Sequence, residues 1–139
     1  MQTELEKLIA RIKERVGNRK INILIADDEE YIREMVIGTL NNCGFECFEN
    51  SNGKDAVSTY RANPPHFFSI VILDDRMRPL DGRDALPQIL EINPEARVVM
   101  FTTAVSEVEF KGAVALVHKP VRMIALLQVI EDVLMSSTR

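Results

Sequence analysis

Cysteine is scarce in this chain of 139 residues, and its placement gives no indication of a zinc site. Cys43 and Cys47 are the only two cysteines, they do not form a CxxC pair, and no group of histidines lies near them in the sequence. Because free cysteine behaves as a small hydrophobic residue, we expect both to be reduced thiols packed among other side chains.

Long hydrophobic runs and an excess of basic charge are absent as well. No apolar stretch approaches the roughly 18 residues that a membrane span needs. The first residues lack the basic-then-apolar order of a signal peptide, so we expect a cytoplasmic location and no membrane partner. The net charge of −4 argues weakly against nonspecific nucleic-acid binding, which depends on Lys and Arg. The remaining composition, 46% hydrophobic and 27% charged, is typical of one soluble globular domain.

From residue 21 onward, short apolar runs alternate with segments of helical periodicity. The predicted strands are Ile21–Asp27, Phe45–Asn50, Ser69–Asp74, Arg97–Thr102 and Val114–His118. The predicted helices are Glu30–Asn42, Lys54–Ala62, Asp81 to about Ile92 with a kink at Pro87, and Val121–Met135. Only Val105–Gly112 is available for a helix between the last two strands. This order predicts a doubly wound five-stranded parallel α/β sheet with right-handed crossovers and helices on both faces.

Residues 1–20 precede this pattern and form a separate segment ahead of the domain predicted at residues 21–139. Leu5, Ile9, Ile12 and Val16 recur at helical spacing among charged residues, which predicts an extra amphipathic helix ending near Gly17. Three roles are open for this helix: packing on its own domain, homodimer formation through a short coiled-coil-like seam, or binding in a partner's groove.

Acidic residues follow two of the predicted strands. Asp27 ends the first strand and Asp28 follows it, Asp74 ends the third, Thr102 ends the fourth, and Lys119 follows the fifth. The carboxyl ends of parallel strands share one edge of the sheet, where ligands of such folds bind, so we expect these groups to converge. Three close carboxylates repel one another and favour a bound cation. Oxygen ligands with room for water suit Mg²⁺ best, with Mn²⁺ as a possible substitute.

The same residues suit phosphoryl chemistry. An aspartate can attack a phosphoryl group covalently, while an ammonium and a hydroxyl hold the phosphoryl oxygens. The motifs are Ile23-Leu-Ile-Ala-Asp-Asp-Glu29, Gly44-Phe45, Ser51-Asn-Gly53, Ile70-Val-Ile-Leu-Asp74-x-x-Met77, Asp81-Gly82 and Lys119-Pro120. In their joint order and spacing, over about residues 21–135, they resemble the response-regulator receiver domain of two-component signalling.

The resemblance implies the flavodoxin-like strand order 2-1-3-4-5 with a shortened fourth helix. It also implies a role for each site residue. Asp74 would be the phosphoacceptor, Asp28 a direct metal ligand, and Asp27 a ligand acting through water. The backbone carbonyl of Arg76 would be a further metal ligand. Lys119 would hold the phosphoryl group, and the hydroxyl of Thr102 would shift towards it.

Alternatives exist for several of these residues. Asp27, Asp28 and Glu29 are also suited to capping the helix that follows, and Glu29 is a secondary ligand candidate. Asp75 is the alternative acceptor, and Thr103 is the alternative hydroxyl. His118 is interpreted as a strand-end residue and His66 as part of a loop.

Three departures from the family pattern affect signal transmission more than chemistry. Arg78 stands where the family usually has proline, which here is Pro79. Leu116 stands where receivers commonly carry Tyr or Phe, a ring that moves with the threonine to report phosphorylation. Residues 103–118, sixteen in all, separate Thr102 from Lys119, which is short for the family by more than one helical turn of about 3.6 residues. We expect the chemistry to be retained and the N-terminal helix to cover or replace part of the output face.

The leading functional hypothesis is a signalling module, not a turnover enzyme. It would take a phosphoryl group from a histidine kinase or phosphotransfer protein onto Asp74, lose it slowly by hydrolysis, and act by contact with a downstream protein. The alternative is a phosphorylation-independent scaffold. A phosphatase would want an acid where Arg76 stands, and a flavin site conflicts with the acidic loop that begins at Asp27.

Overall fold

The computed structural model describes residues 1–104 and 110–136, and its elements follow the predicted alternation. In chain order they are α1 (Glu4–Val16), β1 (Asn22–Ala26), α2 (Glu30–Asn42), β2 (Glu46–Asn50), α3 (Gly53–Arg61), β3 (Phe68–Asp74), α4 (Gly82–Ile92), β4 (Val98–Thr102), β5 (Ala115–His118) and α5 (Met123–Met135). Element ends differ from the prediction by one or two residues, as α5 begins at Met123 rather than Val121. Within Val105–Gly112, the segment available for a further helix, residues 105–109 lie outside the described residues.

The five strands form one parallel sheet in the order β2-β1-β3-β4-β5, which confirms the predicted topology. Strands β1 and β3 lie at its centre, and their burial explains the continuous apolar runs in both. The register shifts once, between Asn22 and Ile23 on the β3 side of β1. Helix α4 continues through Pro87, and the kink expected there stays a prediction.

Each face of the sheet has its own hydrophobic core, because successive side chains of a strand point to opposite faces. Ile25, Ile72 and Phe101 belong to the core shared with α1, α2 and α5. Leu24 and Leu73, one position earlier or later along the strands, belong to the core shared with α3 and α4. This alternation decides which side chains meet at the end of the sheet. Among the described residues, none of the helices has the length and apolar character that a membrane crossing requires.

Helix α1 packs on its own domain, the first of the three roles left open by the sequence. Leu8, Ile12 and Val16 are buried in the core that α1 shares with α2 and α5. A capping box between Thr3 and Glu6 begins the helix. Leu116 packs with the opposite core, so α1 does not lie on the Leu116 side of the sheet. Homodimer formation through α1 stays a prediction.

Both cysteines are free thiols, as expected. Cys43 is buried and Cys47 is partly buried. Burial raises the pKa of the Cys43 thiol to about 11. Burial, together with the charges of Cys43 and Glu49, raises the pKa of Cys47 to about 12. Neither thiol is therefore suited to act as a nucleophile near neutral pH.

We predict that Ile12→Ala lowers the free energy of unfolding by about 2 to 5 kcal/mol, because it removes a buried side chain and leaves a cavity. Urea unfolding followed by circular dichroism measures the change. Lys13→Ala is the matched control, since Lys13 is exposed on the same helix. We expect its effect to stay within about 0.5 kcal/mol. Equal effects of the two substitutions would contradict the packing of α1.

Gly82 allows the start of α4 to approach the end of β3 closely. A Cβ atom at this position would overlap the carbonyl oxygen of Asp74 and lie 2.9 Å from its carbonyl carbon. The Gly82 N–H also donates to the carbonyl of Asp75 at 3.0 Å. The backbone that carries Asp74 therefore leaves no space for a side chain here.

We predict that Gly82→Ala destabilises the protein by about 1 to 3 kcal/mol, because the backbone at Asp74 must shift to accommodate the methyl group. Gly38→Ala is the control. Gly38 lies in α2, and no atom would come within 4 Å of an added Cβ there. That substitution should leave stability unchanged or raise it by up to about 1 kcal/mol. Thermal unfolding compares the two, and a Gly82→Ala protein as stable as wild type would refute the close approach.

Candidate functional site

The sheet register brings the first group of acidic residues together. Ala26 of β1 lies opposite Leu73 of β3, so Asp27 and Asp74 are next to each other where the two strands end. Both side chains continue the alternation of Ile25 and Ile72 and therefore lie towards the α2 and α5 side of the sheet. The predicted convergence of these two strand ends follows from the strand order and the pleat.

Asp27, Asp28 and Asp74 form a cluster with one ligand oxygen of each within 4.8 Å of the others. Asp27 and Asp74 are each 1% exposed, whereas Asp28 is open to solvent. The Nζ of Lys119 forms an ion pair with Asp74 Oδ1. The three predicted acids and the predicted lysine are thus brought to one place. Two carboxylates lie below the surface and one lies at it.

Burial and repulsion by neighbouring carboxylates raise the pKa values of the two buried acids, Asp27 and Asp74. Burial raises the pKa of Asp27 to about 6, and the charge of Asp74 adds to this effect against the hydrogen bond from Glu29. Burial also raises the pKa of Asp74, although the hydrogen bond and charge of Lys119 oppose the change. Burial alone would lower the pKa of Lys119, but its pairing with Asp74 and the charge of Asp27 raise it. A cation at the cluster would relieve this repulsion.

Backbone contacts hold Asp27 in position. Its Oδ1 accepts the N–H of Glu29 at 2.9 Å. Its backbone carbonyl accepts a hydrogen bond of 2.7 Å from Nη1 of Arg33. Nε of the same arginine donates to Glu49 Oε1 at 2.7 Å. Glu29 occupies the N-cap of α2 but makes no side-chain cap bond, and its carboxylate lies outside the cluster of three. Helix capping alone therefore does not account for these acids.

The loop after β3 borders the cluster. Asp81 accepts the N–H of Met77 at 2.8 Å, and its other oxygen lies 3.4 Å from Nη1 of Arg76. A cavity of about 340 Å³ is lined by Asp28, Arg76, Met77, Arg78 and Asp81. The loop thus leaves space beside the exposed carboxylate of Asp28. Oxygen ligands with room for water are the donor set that suits Mg²⁺.

Thr102 lies at the same edge, but its hydroxyl does not meet Asp74. It donates to Oδ2 of Asp75 at 2.9 Å, and Asp75 also binds Arg83 through two bonds of 2.6 and 2.7 Å. Thr102 is fully buried, while Thr103 is exposed. The arginine and threonine bonds, opposed by burial, hold the pKa of Asp75 below its usual value. Both oxygens of the alternative acceptor Asp75 are therefore engaged.

Sequence reasoning missed this second group, although the strand pleat contained the signal. Leu73 and Met100 face the α3 and α4 side, so Asp75 and Thr102, each two positions later, face that side as well. The N–H of Asp75 donates to the carbonyl of Phe101 at 2.8 Å, which places the two side chains at one level. Arg83, in the first turn of α4, has no comparable signal in the sequence.

The remaining candidate residues lie away from the cluster. Leu116 is half-buried and lines a cavity of about 290 Å³ between β5 and α5. His118 is exposed where β5 ends, and His66 is exposed in the loop before β3, as interpreted from the sequence. Neither histidine belongs to the acidic cluster.

Comparison with known proteins places these features in a family. The profile of the family described as response regulator receiver domain matches residues 23–131. The chemotaxis protein CheY of Listeria monocytogenes is 32% identical over 117 residues, which cover 80% of this chain and 96% of that protein. A solved CheX–CheY–BeF3–Mg²⁺ complex from Borrelia burgdorferi has a TM-score of 0.75 and 28% identity, covering 82% of this chain and 89% of that chain.

A longer relative matches in part. The autoinducer 1 sensor kinase/phosphatase LuxN of Vibrio campbellii is 31% identical over 84 residues, or 60% of this chain. The match spans only 10% of the length of that relative. The full-length CheY match and the family profile, together with the sheet order and the acidic edge, lead to one conclusion: the chain belongs to the response regulator receiver domain family of two-component systems.

Proposed function

We propose that Asp74 is the phosphoacceptor of this receiver domain, which takes a phosphoryl group from a histidine kinase or phosphotransfer protein. The observation that supports this most is the position of Asp74. Its carboxylate is buried between two further carboxylates and paired with Lys119 at the carboxyl edge of the sheet. Asp75, the neighbouring candidate, is already bound through both oxygens to Arg83 and Thr102.

In the proposed reaction, a carboxylate oxygen of Asp74 attacks phosphorus, and a new O–P bond forms. The P–N bond to the donor's phosphohistidine breaks, and its electron pair returns to the imidazole nitrogen of the donor. Lys119 then pairs with the transferred phosphoryl oxygens in place of the free carboxylate. Hydrolysis of the acyl phosphate later returns Asp74 to its starting state. The protein thus assists its own modification and is not a turnover enzyme.

Asp28 and Asp74 are the proposed direct ligands of Mg²⁺, with Asp27 acting through water and the carbonyl of Arg76 as a further ligand. Mn²⁺ would be a substitute. The bound metal would supply positive charge that lets an anionic phosphoryl group approach anionic carboxylates. Asp28 lies at the solvent side of the cluster, beside the cavity of the Arg76 loop, which suits it to capture the ion.

The proposed output is a contact with a downstream protein in the cytoplasm. Phosphorylation would shift an existing equilibrium between two conformations. The solved complex of the Borrelia CheY with CheX shows that a relative of this chain contacts another protein, which supports this proposal. The scaffold alternative would need the same surfaces without the phosphoryl group, so adduct formation distinguishes the two hypotheses.

We predict that acetyl phosphate and Mg²⁺ add one phosphoryl group to the protein, because the cluster supplies both a nucleophile and a metal site. Intact-mass spectrometry measures the adduct, and peptide mapping locates it. Asp74→Asn should abolish it, since the amide lacks a nucleophilic oxygen anion. Chelation of Mg²⁺ should reduce it strongly.

Asp132→Asn is the control for loss of one acidic residue, since Asp132 is exposed on α5 and belongs to no metal cluster found among the described residues. It should be phosphorylated like wild type. An adduct that maps to Asp75, or that persists in Asp74→Asn, would contradict the assignment of the acceptor. No adduct in wild type would favour the scaffold alternative.

We predict that Asp27→Asn makes the metal-free protein more stable at pH 7, because the folded chain favours protonated Asp27. The pKa of Asp27 is raised from 3.8 to about 6, so the folded state binds more protons than the unfolded state between these values. The contribution of Asp27 to the free energy of unfolding therefore falls as pH rises through this interval. We expect a gain of about 1 to 3 kcal/mol for Asp27→Asn at pH 7 and little difference at pH 4.

Urea unfolding at both pH values, with chelator and with Mg²⁺, measures this effect. Mg²⁺ should stabilise wild type more than Asp27→Asn, because the substitution weakens the site. Asp132→Asn should show neither effect. If Asp27→Asn were the less stable protein at pH 7 without metal, the unfavourable charge assigned to Asp27 would be refuted.

A further inference from the structure

Asp75, Arg83 and Thr102 form a second buried polar group on the other side of the sheet edge from the acidic cluster. Asp75 is 4% exposed and Thr102 is not exposed at all, whereas the side chain of Arg83 is 28% exposed. Arg83 binds Asp75 through Nε to Oδ1 and through Nη2 to Oδ2, the bidentate geometry of a strong pair. Thr102 donates to the same Oδ2. The group joins the ends of β3 and β4 to the first turn of α4.

The hydroxyl of Thr102 can donate one hydrogen bond, and in this structure it donates that bond to Asp75. The hydroxyl oxygen of Thr102 also accepts a hydrogen bond of 2.9 Å from the N–H of Ala104, which holds the hydroxyl from a second direction. Strand alternation turns Thr102 towards Asp75 and away from Asp74. A hydrogen bond from this hydroxyl to an oxygen carried on Asp74 therefore requires the bond to Asp75 to break.

We propose that the Asp75–Arg83 pair restrains Thr102 in the unphosphorylated conformation, so that Asp75 and a phosphoryl group on Asp74 compete for one hydroxyl proton. Asp75 is then a positioning residue that sets how readily the modified state forms. This inference rests on the proposed function, because the competing acceptor is the phosphoryl group. The bond from Thr102 to the charged carboxylate of Asp75 is a strong one, so the need to break it opposes formation of the modified state.

The pair also offers a route by which the state of Asp74 reaches the start of α4 and the core around Phe110. The guanidinium of Arg83 lies 5.6 Å from the centroid of the Phe110 ring, within the range of a cation–π contact. When Thr102 leaves, Asp75 loses one of its hydrogen bonds and Arg83 becomes its main partner in the group. The altered bonding of Asp75 then affects the position of Arg83, and through it α4 and Phe110. Leu116 cannot supply a moving aromatic ring, and Phe110 lies on the same core.

The test is a double-mutant cycle on the affinity for beryllofluoride with Mg²⁺, which stands in for the phosphoryl group. Asp75→Leu keeps the shape of the aspartate and removes the acceptor, while Thr102→Val keeps the shape of the threonine and removes the donor. We expect Asp75→Leu to bind beryllofluoride about tenfold more tightly than wild type. In the Thr102→Val background, the same change should alter affinity by less than about twofold.

The Thr102→Val background is the control for charge. Removal of a nearby carboxylate favours an anionic ligand by electrostatics alone, and that gain would persist without the Thr102 hydroxyl. A gain of equal size in both backgrounds therefore overturns the restraint. An unchanged affinity in Asp75→Leu overturns it too, and in either case the receiver function stands. Failure of wild type to bind beryllofluoride overturns the proposed function itself and the restraint with it.

Asp75→Asn is the second variant, used if Asp75→Leu does not fold, as judged by thermal unfolding. Its amide oxygen is an uncharged and therefore weaker acceptor, so we expect about a threefold gain in affinity that Thr102→Val removes. The Thr102 methyl resonance of the unliganded Asp75→Asn protein should move towards its position in beryllofluoride-bound wild type. A resonance that stays at the wild-type position, with unchanged affinity, overturns the restraint.

Discussion

The carboxylates of Asp27 and Asp74 lie side by side, almost fully buried, at the ends of β1 and β3. This pair is unfavourable, and it constrains how the surrounding backbone must be held. Burial and mutual repulsion both raise the free energy of the charged forms. Such a pair persists only where the surrounding backbone is firmly held. Three features hold the backbone here: β1 and β3 are buried on both faces, Gly82 packs against the backbone of Asp74, and Arg33 bonds to the carbonyl of Asp27. The exposed Asp28 completes a cluster that a cation can enter from solvent.

The pleat of the sheet divides the edge into two compartments with different chemistry. Asp27, Asp74 and Lys119 lie on one side, where close carboxylate oxygens beside an ammonium suit metal and phosphoryl binding. Asp75, Arg83 and Thr102 lie on the other side, where every charge is paired. Successive residues, Asp74 and Asp75, therefore belong to different compartments. A threonine that serves both compartments has to exchange one partner for the other, and that exchange is the physical basis of coupling between them.

The fold and the acidic cluster could be predicted from the sequence because each depends on a local pattern and one topological rule. The apolar runs ending at Asp27 and Asp74 gave the strands, and parallel strand order brought their ends together. The partner of Thr102 was not predicted. That partner depends on the sheet face to which the last residue of β4 points and on the conformation of the Arg83 side chain. Arg83 lies eight residues after Asp75, and no periodicity in the sequence indicates that the two interact. The packing of α1 could not be predicted for a similar reason: the amphipathic pattern shows that one face of the helix is buried but does not identify the surface that buries it.

The position of α1 bears on where a conformational change can travel. Three buried side chains of α1 anchor it to the core of α2 and α5, and Arg11 binds Glu131 of α5 through two bonds of 2.8 Å. The ion pair is partly exposed and contributes little, so the apolar contacts dominate the anchoring. Movement of α5 would disturb a core shared by three helices. On the opposite side, the described residues near Thr102 include an arginine at the start of α4, the ring of Phe110, and a leucine where receivers commonly carry an aromatic ring. In the proposed exchange, release of Thr102 from Asp75 would act first on Arg83 and the start of α4, because this arginine is the other side-chain partner of Asp75 in the described part of the chain.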